Sequence, residues 1–281
     1  MTDFLRTIEK DEKKYETALR KIADRVCFDY DIRFVLIAGG SCSGKTTSTK
    51  KLAGLIKERK RNVHTISLDD FYRNIEDSVY LPDGTRDLET LNSLETDKIK
   101  ECLKSIAQGK RTPVPYFDFE KKKRTDNYRY IDPEPDDVII VEGLHALNPV
   151  LYDRLSERAV YRVFLYADAE DGSDCRFVRR LVRDSRHRDS DAEMIFSLWD
   201  NVKKNEQAAI DPFRKIADVA VNTFFEYERG ILDDDALKLL NELPKDSKYR
   251  EKADKLAKIL EGTVPLPDEE VPKDSLLREF M

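Results

Sequence analysis

Residues 34–49 read Phe-Val-Leu-Ile-Ala-Gly-Gly-Ser-Cys-Ser-Gly-Lys-Thr-Thr-Ser-Thr. An apolar, β-prone run breaks into Gly39-x-x-x-x-Gly44-Lys45-Thr46 and continues as helix-compatible sequence, the order that a phosphate-binding loop requires. Glycines at 39 and 44 let the backbone curl so that consecutive amides point inward, and the start of the next helix adds its partial positive charge. The spacing therefore predicts a nucleoside triphosphate site built from Gly39, Gly40, Ser41, Cys42, Ser43, Gly44, Lys45, Thr46 and Thr47. Lys45 would reach the β- and γ-phosphates, and the Thr46 hydroxyl would ligate Mg²⁺.

The rest of the chain alternates strand-like and helix-like segments. Asn62–Ser67, Val138–Val141, Tyr161–Tyr166 and Ala217–Val221 read as strands, and 45–59, 94–107, 173–184 and 190–208 as helices. The continuous apolar run at 138–141 suits a strand covered on both faces. Such alternation indicates an α/β fold with a doubly wound, mostly parallel sheet and helices on both faces. Phe4, Leu5, Ile8, Tyr15, Leu19, Ile22 and Val26 recur at helical spacing, so 1–30 is expected to lay an amphipathic helix on a core domain of 31–230. Beyond it, 231–262 reads as two helices divided by Pro244, and the acidic, proline-containing stretch 263–274 as a surface tail. Residues 74–93 form a long loop of the kind kept for substrate, and 114–129 an aromatic, basic hairpin or flap.

Charge and cysteine usage narrow the setting. Charged residues make up 38% of 281 positions and the net charge is -6, which disfavours general nucleic-acid binding. No apolar run approaches the ~18 residues of a membrane span, and the charged start is unlike a secretory signal, so a cytoplasmic protein is expected. The four cysteines lack metal-ligand or disulfide-framework spacing.

Ligands of open α/β sheets bind beyond the carboxyl ends of the strands, which gives weight to two carboxylates. Asp69, after the second strand, could take the proton of an attacking hydroxyl or hold Mg²⁺; Glu142, closing the apolar run, could join Thr46 and Asp69 around the metal. Arg179 to Arg188 holds five arginines in ten residues. Phosphoryl transfer needs cations around the moving group, so this segment, about 179–190, reads as a mobile lid that closes over the triphosphate. On a helix Arg179, Arg183 and Arg186 would share one face and Arg180 another. Neither Asn-Lys-x-Asp nor Asp-x-x-Gly occurs, which argues against a GTPase switch. A nucleotide-binding scaffold without catalysis stays open, although no position of the phosphate machinery is disabled.

Taken in order, Gly39-Gly40-Ser-Cys-Ser-Gly44-Lys45-Thr46-Thr47, Ser67-Leu-Asp69-Asp-Phe71-Tyr72-Arg73, Val141-Glu142-Gly143-Leu-His-Ala-Leu147, Arg179-Arg180-x-x-Arg183-Asp184 and Ala217-Asp218 resemble the uridine kinase branch of the phosphoribulokinase and uridine kinase family. The resemblance covers about residues 33–224. It implies a P-loop NTPase fold with an arginine-rich lid and extra terminal helices, and ATP- and Mg²⁺-dependent phosphorylation of a nucleoside 5′-hydroxyl. By it Asp69 looks like the general base, Arg180, Arg183 and Arg188 like lid residues and Tyr72 like a sugar or base contact. The segment Phe117-Asp118-Phe119-Glu-Lys-Lys122-Lys-Arg124 is similar to the pyrimidine-reading loop, with Phe117 in place of a tyrosine and Lys122 in place of a histidine. Those departures leave a second acceptor class open, a sugar phosphate or pantothenate-like acid, for which Lys122, Arg124 or Arg129 could supply the cationic anchor. The tail from Val271 to Phe280 is similar to the end of one bacterial subgroup. Family members commonly assemble, so self-association through the outer helices is a further expectation.

Overall fold

The computed structural model describes residues 3–80, 84, 86–119, 121, 123–169 and 174–281. Strands β1 (Phe34–Gly39), β2 (Val63–Ser67), β5 (Val138–Glu142), β6 (Val160–Tyr166) and β7 (Val219–Asn222) form one parallel sheet in the order β2-β5-β1-β6-β7. Strands β3 (Thr112–Asp118) and β4 (Lys123–Ile131) pair antiparallel as a separate hairpin. The chain leaves β1 toward one edge of the sheet and later returns past it to the other, so the carboxyl end of β1 lies at the reversal of strand order. That reversal opens the crevice where such folds take ligands.

Period-2 alternation along the apolar strands divides the core. Val35, Ile37, Val138, Ile140, Val163 and Leu165 face one side, and Phe34, Leu36, Ala38, Ile139, Val141 and Phe164 the other. The first side is covered by α1 (Asp3–Phe28), α2 (Lys45–Glu58), α5 (Cys175–His187), α6 (Ala192–Ala209), α7 (Glu228–Glu242) and α8 (Arg250–Leu260). Helices α3 (Thr96–Ala107) and α4 (Pro149–Tyr152) cover the second. Ile99, Leu103 and Ile106 of α3 repeat at helical spacing and are all buried, each stabilising the fold by roughly 1.5–3 kcal/mol. Tyr15, Leu19 and Ile22 of α1 do the same against α2 and the sheet.

Two expectations are corrected. Residues 264, 265, 267–270, 273 and 274 are exposed as foreseen for the stretch 263–274, but Val271 inside it is buried, and beyond it Leu276, Leu277 and Phe280 anchor the chain in the first core. The charge-rich sequence between them hid these anchors. The arginine segment, expected as a mobile lid, is instead largely part of α5, whose Phe177, Val178, Leu181 and Val182 are core residues. Its apolar positions, interleaved with the arginines, dock it.

Candidate active site

Three strand ends meet at the crevice. Ile37 of β1 and Ser67 of β2 both lie in register with Glu142 of β5, which brings the phosphate loop, the Asp69 turn and Glu142 to one level of the sheet. Gly44 caps α2 in the left-handed region at φ 77°, a conformation that glycine adopts without strain, and no side chain caps the first turn of α2. The Lys45, Thr46 and Thr47 turn therefore presents a helix N-terminus to the crevice. At the other end of the loop, a Cβ on Gly39 would overlap the Leu165 carbonyl on β6. Lys45 Nζ donates to the Gly40 carbonyl at 3.0 Å, curled over the loop, and Thr46 is exposed at its mouth. Ser43 is buried with its hydroxyl unpartnered, Cys42 adopts φ 59°, and the Gly40 and Ser41 backbone is braced from behind. In that brace Glu206 of α6 accepts the Ser41 amide at 2.7 Å while Arg176 of α5 clasps Glu206 at 2.8 and 2.9 Å and donates to the Ser41 carbonyl at 3.1 Å.

Opposite the loop, Ser67 ends β2 and starts a short 3-10 turn, Leu68–Phe71, that carries Asp69. Burial pushes the Asp69 pKa up while Lys45 and Arg188 pull it down, so these two cations share its field. Glu142 accepts the Ser67 hydroxyl at 2.7 Å, and burial followed by repulsion from Asp69 pushes its pKa up to about 7. Asp69 and Glu142, close enough for the charge of Asp69 to raise Glu142, together with the exposed Thr46 hydroxyl at the start of α2 supply an all-oxygen donor set of the kind suited to Mg²⁺, which keeps waters and phosphate oxygens as its other ligands. Among the described residues no group of three or more His, Cys, Asp or Glu side chains is placed to hold a metal ion.

The segment after Asp69 is flanked by aromatic rings. Tyr72 packs edge-on against Phe117 and Phe119 at centroid distances of 5.8 and 6.1 Å, those two meet at 5.1 Å, and the Tyr72 hydroxyl donates to the Leu88 carbonyl at 2.9 Å. Arg124 is ion-paired with Glu95, and Arg129 donates to the Thr65 carbonyl and lies 3.8 Å from Asp70. Lys122 lies outside the described residues.

Of the arginines, Arg179 does not face the crevice. It is fully buried, pairs with Glu228 at 2.6 and 3.0 Å, and donates to the carbonyls of Thr223 (2.6 Å) and Cys42 (3.1 Å). Arg180 reaches the Ser41 hydroxyl at 3.3 Å, and Asp184 gathers Arg180, Arg183 and Arg188 at 3.3, 2.7 and 3.5 Å. Arg186 turns away to Asp235. Arg180 and Arg188 are thus the members aimed at the loop and at Asp69, with Arg183 held beside them on Asp184.

Sequence reasoning missed several groups. Glu89 brings a buried, unpartnered Oε2 into the field of Arg180, Lys45 and Asp69, and burial raises its pKa. His145 is 2% exposed; its Nε2 lies 2.8 Å from the Glu89 carbonyl and so carries the proton, leaving a buried Nδ1 lone pair. Its signal was within view, two residues past the strand-end Gly143. Arg176 sits one helical turn before the arginine run, but nothing local marks Glu206, 30 residues later, as its partner.

A profile of the Phosphoribulokinase / Uridine kinase family matches residues 34–227. Uridine kinases of Staphylococcus aureus strains, JH9 and Newman among them, are 31% identical over 187 residues, 66% of this chain and 84% of theirs. Among solved structures, YFH7 of Saccharomyces cerevisiae shares the fold at a TM-score of 0.52 and 14% identity, over 73% of this chain and 98% of its own. A Silicibacter sp. TM1040 kinase structure does so at 0.51 and 16%, over 72% and 98%. Loop, strand-end carboxylates and family profile converge on the same stretch: the chain belongs to the phosphoribulokinase / uridine kinase family and is a kinase-type phosphotransferase.

Proposed function

We propose that this kinase transfers the γ-phosphoryl group of ATP to the 5′-hydroxyl of a nucleoside. The observation that carries the reading is Asp69, which interacts electrostatically both with Lys45 of the phosphate loop and with Tyr72, the ring that packs on Phe117 and Phe119. Aromatic faces and edges suit a planar base, and the carboxylate suits an alcohol proton. Lys45 and the N-terminal turn of α2 hold the β/γ-phosphates, and Arg180, Arg183 and Arg188 stabilise the charge of the transferring group. Thr46, Asp69 and Glu142 are the residues that would hold Mg²⁺, which neutralises phosphate charge when bound. Asp69 orients the acceptor hydroxyl and accepts its proton. Arg124 and Arg129 already have partners in Glu95, Asp70 and the Thr65 carbonyl, so an anionic acceptor would have to displace them. That favours a nucleoside over a sugar phosphate or pantothenate-like acid.

The test is acceptor-dependent ADP release with Mg²⁺ across nucleosides, sugar phosphates and pantothenate. A nucleoside should be the best acceptor, and Asp69→Asn should lower turnover by about 10²-fold or more with ATP affinity nearly kept. Preference for a phosphorylated acceptor, or ATP consumption indifferent to any acceptor, would sink the proposal.

A further inference from the structure

The C-terminal segment reaches the phosphate loop. Leu276 packs where a Cβ on Gly44 would stand, Lys51 of α2 pairs with Asp274 at 3.2 Å, and the Phe280 ring lies under the buried Arg179 guanidinium at 4.9 Å. Ser275 caps the last turn, Leu276–Glu279, and its hydroxyl lies 2.9 Å from that of Tyr227; His187 Nε2 is 2.9 Å from the Met281 carbonyl. These contacts and the burial of Val271, Leu276, Leu277 and Phe280 fix the segment without any help from Glu279. Glu279 sits between the exposed Arg278 and the buried Phe280 and is itself half-buried. It takes the hydroxyl proton of Thr47 at 2.6 Å, in the first turn of α2.

We propose that Glu279 is an affinity-setting residue of the nucleotide site, an internal carboxylate held at the anion-binding turn of α2, so that loading a polyphosphate requires Thr47 to release it. Thr47 has one hydroxyl proton, and phosphate oxygens only accept hydrogen bonds; the hydroxyl cannot serve both. A carboxylate beside an incoming polyphosphate also repels it, in a setting where the helix N-terminus favours either anion. No ion pair to a cation is present at Glu279 among the described residues, yet its charge is felt at Arg183 and at Glu142. The carboxylate thus lies within the electrostatic reach of the catalytic crevice rather than out on the surface. The inference rests on the phosphate-loop reading above, and names what that loop is paired with before nucleotide arrives.

Calorimetric titration of the full chain with MgATP tests it, using wild type, Glu279→Gln and, as a control that removes the same charge from the exposed part of the segment, Glu269→Gln. Glu279→Gln should bind about tenfold more tightly than wild type, the scale of one charge-assisted hydrogen bond, while Glu269→Gln should match wild type. Thermal melting without nucleotide verifies that each variant is folded; if Glu279→Gln melts early, Glu279→Asp, which withdraws the carboxylate by one methylene, should show the same tightening in smaller measure. Unchanged or weaker binding by the Glu279 variants, or equal tightening in Glu269→Gln, overturns the inference while leaving the kinase reading intact. Failure of wild type and Glu279→Gln alike to bind MgATP overturns both.

Discussion

Burial and the neighbouring Asp69 hold the Glu142 proton up to about pH 7, against 4.5 for an unperturbed glutamate. Ionising it therefore costs the folded state: its contribution to stability is whole below about pH 4.5 and is lost as pH rises through about 7. Glu142→Gln should accordingly lose less melting temperature than wild type from about pH 5 to about pH 8, read by differential scanning calorimetry without nucleotide. Parallel curves would show that Glu142 carries no such load. Arg179 is the complementary case, a cation bound entirely inside the protein. Replacing it with Met leaves Glu228 buried without a counter-charge, at a cost of about 3–5 kcal/mol, and Arg179→Met with Glu228→Gln should recover part of that in urea unfolding. Full additivity of the two changes would contradict the pairing.

At the scale of elements, the phosphate loop is shaped by what lies behind it. A methyl group on Gly39 meets the Leu165 carbonyl, which is backbone of β6 and cannot swing aside. Gly39→Ala should cost roughly 1–3 kcal/mol by overpacking and displace the loop, visible as lost nucleotide binding. Gly54 gives the opposite result within α2. Its Cβ position is open, so Gly54→Ala should raise unfolding free energy by about 0.5–1 kcal/mol without touching turnover. The bearing of α5 follows the same logic. The run of arginines was legible as a cluster of charge, but which of them faced the loop depended on Phe177, Val178, Leu181 and Val182 docking into the core. That docking turned Arg179 inward and left Arg180 and Arg188 to the crevice.

For the molecule as a whole, the first core runs from α1 through the sheet to the C-terminal segment, so residues at both ends of the chain stabilise the same interior. Phe280→Ala should lower stability by about 3–5 kcal/mol in denaturant unfolding despite lying far along the chain from the family-matched region. A loss below about 1 kcal/mol would mean that the segment is not part of that core. Phosphate-loop spacing, the strand-helix alternation and the strand-end carboxylates Asp69 and Glu142 were set by the sequence alone, because each depends on local periodicity or on backbone freedom within a few residues. Tertiary structure alone decided that Glu206 and Arg176 brace Ser41, that Glu89 comes within the electrostatic field of Lys45 and Asp69, and that Glu279 reaches Thr47 across 232 positions. Those pairings join side chains whose own neighbours in sequence carry no trace of the partner; burial of the apolar residues around them is what brings the charges together.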